Sequence, residues 1–164
     1  GTVTQNGGTL QLGANGNYNW QVFNVAGLAG TGYDTVNLIN GATLSLSALS
    51  VGNEYNINLW SLSAITPNDV NGAATNFNNT SNYSWTLFST DTAITGFNTN
   101  LFEIFTAANN GTSGFANTLN GTFNVGLADS NTDLVLTYTA AIPEPGAALI
   151  GSLGLLALLR RWRD

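Results

Sequence analysis

Along the first 139 positions, apolar residues recur at every second place in short runs, and the runs are separated by turn residues. Leu10 and Leu12 alternate with polar neighbours, as do Tyr18, Trp20 and Val22, then Val36 and Leu38, then Leu44 and Leu46. Tyr55, Ile57 and Leu59 follow, then Tyr83, Trp85 and Leu87, a denser run from Leu101 to Phe105, and finally Phe123, Val125, Leu127 and Leu134, Leu136, Tyr138. A period of two places one set of side chains on one face of an extended backbone, which is the signature of a half-buried strand. Between the runs stand Asn6-Gly7, Asn15-Gly16, Asn40-Gly41, Asn71-Gly72, Asn110-Gly111 and Asn120-Gly121. Asn-Gly reaches positive φ at little cost, so each pair predicts a turn. No stretch before Ala140 has a helical period, and the body (residues 1–139) is therefore expected to be all-β.

Two architectures fit this pattern. Strands recurring every eight to eighteen residues with glycine-rich corners suit a β-solenoid, in which each coil rests on the next. Antiparallel sandwiches share that spacing. The last two runs, Thr122–Leu127 and Asp133–Thr139, are joined by five residues and predict an antiparallel hairpin. The preferred picture is a β-solenoid-like stack continued or capped by antiparallel strands, with a two-sheet sandwich as the alternative. The segment Thr66–Ser81 is polar, weakly patterned and expected to be a surface loop, and residues 140–145 read as a linker.

Charge narrows the function. Only 7% of the 164 residues are charged, while 43% are hydrophobic, so the chain has enough apolar material for a core but little surface charge. The only basic residues are Arg160, Arg161 and Arg163. The body carries Asp34, Glu54, Asp69, Asp91, Glu103, Asp129 and Asp133 and no cation. Without cations it does not neutralise phosphates, which argues against nucleic acid and anionic headgroups as partners of the body. There is no Cys and no His. Ser/His/Asp and Cys/His catalysis are thereby excluded, zinc loses its usual ligands, and Schiff-base chemistry has no Lys.

Three constellations remain. Glu54 and Glu103 are the candidate carboxylates for a glycosidase, which needs two acids flanking one bond. No two acids share a strand, however, and a non-enzymatic protein is expected. Asp129-Ser130-Asn131-Thr132-Asp133 has the alternating oxygen ligands of a calcium loop, with Asp129, Asn131 and Asp133 as candidates. Leu134 stands where such a loop needs its glycine, and Ala140 stands where it needs a glutamate. The same residue types make a hairpin turn that hydrogen-bonds its own backbone, and no cofactor or metal is expected. Trp60 has the opposite parity to Tyr55, Ile57 and Leu59, so it is expected to point outwards as a candidate sugar-stacking face. Trp20 and Trp85 share parity with the core and are expected to be buried.

The end of the sequence has a different character. Pro143-Glu144-Pro145 precedes an apolar run from Gly146 to Leu159 (residues 146–159), followed by Arg160-Arg161-Trp162-Arg163-Asp164 (residues 160–164). The run is about 21 Å long as a helix at ~1.5 Å per residue, short for a full span of ~20 residues but insertable if the arginines snorkel and the bilayer thins. The arginines place residues 160–164 in the cytoplasm and the body across the membrane. A buried C-terminal helix and a plain tail anchor are the alternatives. The order of tag, apolar helix and arginine cluster resembles the C-terminal sorting signal of bacterial PEP-CTERM proteins. That resemblance implies an exosortase-type processing enzyme as partner, Pro143, Glu144 and Pro145 as the recognition tag, and inner-membrane anchoring before transfer to the cell surface or extracellular matrix. The sequence, lacking Met at Gly1 and any charged-then-apolar leader, is expected to be mature or the C-terminal part of a longer chain.

A second resemblance covers much of the body. Gly7-Gly8-Thr9-Leu10-Gln11-Leu12-Gly13, Tyr18-Asn19-Trp20-Gln21-Val22, Asn82-Tyr83-Ser84-Trp85-Thr86-Leu87 and Thr122–Tyr138 are similar to the ends of large bacterial surface proteins with autotransporter-associated β-strand repeats. It implies glycine-rich repeats upstream and a structural or adhesive role, with exopolysaccharide as a partner. A surface-tethered carbohydrate-binding module is the alternative.

Overall fold

The computed structural model describes residues 1–142. The Pro143–Pro145 tag, the 146–159 apolar run and the 160–164 basic tail, and with them the expected transmembrane helix, lie outside the described residues. Within them the fold is β, as the period-two pattern predicts. The strands are β1 (Thr2–Asn6), β2 (Thr9–Gln11), β3 (Asn17–Val22), β4 (Thr35–Ile39), β5 (Thr43–Ser45), β6 (Tyr55–Ala64), β7 (Val70–Asn71), β8 (Tyr83–Thr90), β9 (Phe102–Phe105), β10 (Gly121–Ala128) and β11 (Asp133–Ala140). Helical structure among the described residues is limited to two 3-10 turns, Thr99–Leu101 and Asp129–Asn131. No helix among them is long and apolar enough to cross a membrane.

Most pairings are parallel and join residues one circuit of the chain apart. β1 lies on β4, β2 on β5 and β3 on β6, so that Val3 pairs with Val36, Leu10 with Leu44 and Trp20 with Leu59. A third layer follows, with β8 on β4 and β9 on β6. The chain thus visits three faces in turn, twice in full and a third time in part. The pitch is visible in the side-chain ladders, where Thr9 bonds Thr43 across 34 residues at 3.0 Å and Asn40 bonds Asn6 across 34 residues at 2.9 Å.

The expected hairpin is present and slightly longer than predicted. β10 and β11 pair antiparallel from Gly121–Ala140 to Ala128–Asp133, and β11 adds antiparallel to β8. The sheet therefore runs β1-β4-β8-β11-β10, parallel until the hairpin closes it.

Between the faces lies one core. Trp20, Trp85, Leu59, Leu87, Leu134, Leu136 and Tyr138 are almost completely buried, as parity predicts for the two tryptophans. Trp20 and Trp85 sit 5.5 Å apart. Each buried indole N–H has a carbonyl acceptor, Asp34 O at 2.8 Å and Val25 O at 2.9 Å respectively, which removes the cost of burying a donor. A tryptophan buries about 150–250 Å², about 4–6 kcal/mol at ~25 cal/mol per Å². The hairpin joins this core through Tyr138, which packs against Phe77 and Phe123 at 5.1 Å each.

Two expectations are corrected. Thr66–Ser81 is not simply a surface loop. It contributes β7 to the edge of β6, and it buries Ala74 and packs Phe77 against the core. Asn120-Gly121 is not a turn. Gly121 begins β10 opposite Ala140, and a Cβ there would lie 2.2 Å from the Thr139 carbonyl oxygen, so the glycine answers a close approach rather than a positive φ. Asn40-Gly41 and Asn110-Gly111 do have both residues at positive φ, as predicted.

Candidate functional site

The outer face of the β3–β6–β9 sheet carries the most organised polar surface. Outward positions pair across the strands as Asn17 with Asn56, Asn19 with Asn58 and Gln21 with Trp60, and Asn56 with Glu103 on β9. Asn58 is the hub and is fully buried although it faces outwards. Its amide donates to Asn17 Oδ1 at 3.1 Å and Asn19 Oδ1 at 2.8 Å, and its Oδ1 accepts from Asn109 Nδ2 at 2.7 Å. Asn19 Nδ2 in turn donates to the Asn110 carbonyl at 3.0 Å. This amide network clamps the turn at Asn109–Thr112 over the sheet and accounts for the burial of an asparagine.

Trp60 leaves β6 on that outer face, as its parity predicts. It is half-buried. Its indole N–H donates to Asn71 Oδ1 on β7, and the Asn71 amide donates to Ser113 Oγ. The antiparallel flap of β7 and the turn near Ser113 thus reach the Trp60 edge. Sugar stacking needs an open ring face, and here the polar edge is already engaged and the ring is half covered.

Beside Trp60 a cleft of about 340 Å³ is lined by Gln21, Phe23, Tyr33, Asp34, Leu62 and Asp69, among others. Gln21 bridges its two acids: the backbone N–H donates to Asp34 Oδ2 at 3.2 Å, and the side-chain amide donates to Asp69 Oδ2 at 3.0 Å. Asp34 and Asp69 are far apart in sequence and only the coiling brings them together. Nothing in the local sequence signals the pairing.

On the inner face, the phenols of Tyr18 and Tyr55 are perturbed. Burial, with Asp34 and Tyr55 nearby, pushes the Tyr18 phenol well above its ordinary range. Burial alone raises that of Tyr55. Gly16 makes room for the latter ring, since a Cβ at Gly16 would meet Tyr55 Cε2 at 2.6 Å.

The remaining sequence candidates lie outside that cleft. Glu54 precedes β6 and its carboxylate accepts from the Gly52 N–H, which makes it a turn residue. Glu103 lies on β9 opposite Asn56, beside a shallow depression lined by Asn100, Phe102, Ile104, Phe123 and Asn124 among others. Asp129, Ser130 and Asn131 all have positive φ and form the tip of the β10–β11 hairpin. The backbone oxygens there serve the protein: Asp129 O accepts from Thr132 N at 3.1 Å, and Asn131 O accepts from Ile94 N at 2.8 Å. Asp133 is in β11 and accepts from Thr86 Oγ1 at 3.5 Å. Among the described residues no group of three or more His, Cys, Asp or Glu side chains is placed to hold a metal ion. The sorting candidates Pro143, Glu144, Pro145, Arg160, Arg161 and Arg163 lie beyond the described residues.

No family model matches the chain, and neither a curated protein nor a solved structure matches it.

Proposed function

We propose that this chain is an exported, non-enzymatic structural or adhesive protein of a bacterial surface or exopolysaccharide matrix. Its body is a short β-solenoid closed by a hairpin on one face, and its tail is a PEP-CTERM address. The observation that carries the first part is the in-register parallel pairing of successive circuits on three faces, ended on one side by the antiparallel β10–β11 hairpin. A sandwich reading would need antiparallel neighbours throughout, whereas β1–β4, β4–β8, β2–β5, β3–β6 and β6–β9 are all parallel. A stack of this kind gives a stiff rod whose strength comes from backbone ladders rather than disulfides. Uncharged Asn and Thr ladders along it are indifferent to ionic strength, which suits exposure outside the cell.

The opposite end has no counterpart of the hairpin that closes the β8 face. The outer edges of β1 and β2 carry no Lys, no Pro and no covering strand among the described residues, the devices by which strand edges are ordinarily blunted, while that of β3 is met only towards its end, by residues 32–34. Val3 is 63% exposed although its register partner Val36 is 8% exposed. An inward-pointing valine left open this way supports a further coil resting on the first.

Sorting is tested by replacing Pro143, Glu144 and Pro145 with alanines and following the protein by fractionation and intact mass. The proposal expects the unprocessed form to accumulate in the inner membrane. Arrival of the variant at the same surface location, with the same mass as the parent, would refute it.

A further inference from the structure

We propose that the groove beside β5 is a strand-addition site that takes an uncharged, extended peptide segment from another polypeptide. Two of the three faces hold a third-layer strand, β8 on β4 and β9 on β6, but the β2–β5 face stops at two. The cause lies in the hairpin. Its tip captures the chain as it leaves β8, through Thr90 N–H to Thr132 O at 2.9 Å and Ile94 N–H to Asn131 O at 2.8 Å. The stretch that would lie along β5 is thereby drawn away from it.

A groove of about 730 Å³ remains, bordered by Thr43, Leu44 and Ser45 on one side and Thr92, Thr95 and Asn98 on the other. Its size is within the ~300–1,000 Å³ of ordinary ligand clefts. The backbone of β5 says what fits it. Thr43 N–H donates to Gly8 O and Ser45 O accepts from Leu12 N–H, so these residues spend their backbone groups on the β2 side. Alternation in a parallel ladder turns the N–H and C=O of Leu44 to the opposite side. There they have no partner among the described residues, although Leu44 is only 6% exposed. A strand edge of unpaired N–H and C=O groups is a template for pairing with another chain, and an extended peptide supplies a matching C=O and N–H at strand spacing. None of the lining residues is charged, which favours a neutral segment. Alternation of hydroxyl-bearing Thr43 and Ser45 with apolar Leu44 sets the side-chain pattern of the occupant, polar outwards and apolar inwards.

The probe is the capped peptide Thr-Leu-Gln-Leu, the sequence of Thr9–Leu12, which already pairs with β5 from the other side. It is titrated into the isotope-labelled full chain, with amide shifts and hydrogen exchange read by NMR. The expected result is a saturable shift centred on Leu44 and at least tenfold slower exchange of its amide at saturation. Thr95→Trp places a bulky ring in the groove from an exposed position and should weaken binding at least tenfold with an unchanged thermal midpoint. A backbone N-methylated peptide should not bind. The proposal is overturned if no shift occurs up to the solubility limit, if the N-methylated peptide binds equally well, or if Thr95→Trp leaves binding intact. It is also overturned if a neutral oligosaccharide saturates the same amides more tightly than the peptide, which would assign the groove to glycans.

Discussion

Consider raising the pH of the folded protein from 8 to 11. The chain has no Lys, His or Cys, so in this window tyrosines dominate the titration. An unfolded phenol ionises near pH ~10. In the folded state Tyr18 is held above that, by burial first and by Asp34 and Tyr55 next. The folded chain therefore keeps a proton that the unfolded chain releases. Stability rises with pH only where the unfolded state binds more protons; here it binds fewer, so stability is fully present below about pH 10 and is lost as pH climbs towards the folded value. The slope from one such group is about 1.4 kcal/mol per pH unit. Tyr55 acts in the same direction. The test compares the parent with Tyr18→Phe by urea unfolding, followed through the fluorescence of the buried tryptophans, at pH 8, 9.5, 10.5 and 11. No hydrogen bond ties the Tyr18 hydroxyl among the described residues, while its ring packs on Phe88 at 5.4 Å, so the variant should match the parent to about 0.5 kcal/mol at pH 8. At pH 11 it should be the more stable by about 1.4 kcal/mol. Parallel stability curves for the two proteins, or an ultraviolet titration of the folded parent in which every tyrosine ionises near pH 10, would refute the reasoning.

The amide hub and the hairpin base give two further tests. Asn58→Leu keeps the side-chain volume but takes the acceptor from Asn109 Nδ2 and one of two donors from Asn19 Oδ1, and should lower unfolding stability by about 1–2 kcal/mol, the scale of lost side-chain hydrogen bonds; a loss below about 0.5 kcal/mol would mean the ladder contributes no more than surface polarity does. Gly121→Ala drives a methyl against the Thr139 carbonyl and should cost about 1–3 kcal/mol with faster amide exchange along β10. Gly13→Ala, where nothing lies within 4 Å of the new atom, should be neutral in the same melts.

Period two made most of the strands legible. Tyr18, Trp20 and Val22 alternate with polar neighbours, and two of them are now at the centre of the core. β1 escaped because Thr2–Asn6 has one apolar residue, Val3, and places polar Gln5 opposite buried Leu38. Parallel stacking was harder to read because strand pairs are separated by a whole circuit, and alternation within a strand carries no information about which strand lies beside it. A signal did exist. Asn6-Gly7-Gly8-Thr9-Leu10-Gln11-Leu12 and Asn40-Gly41-Ala42-Thr43-Leu44-Ser45-Leu46 are near-copies, and their offset of 34 residues is the pitch of the Thr9–Thr43 ladder. The cleft acids Asp34 and Asp69 had no such signal. Gln21 joins them only because β3 lies against β6, whose far end turns back through β7.

The same repeat explains where regular coiling stops. A third copy would have to follow β8, and the sequence there, Asp91-Thr92-Ala93-Ile94-Thr95-Gly96, keeps neither the Asn-Gly corner nor the two leucines. Without the corner the chain is not turned along β5, and without the leucines it has no inward pair to match Leu44 and Leu46. Ile94 is instead buried with its N–H on the hairpin tip, at a tip where three consecutive residues hold positive φ. One such residue commonly marks an ordinary turn, whereas three non-glycine residues in that region cost conformational energy. The strain persists because the tip's carbonyls are the acceptors that hold Thr90 and Ile94. Closing the stack at the hairpin and opening the groove at β5 are therefore two results of one set of hydrogen bonds.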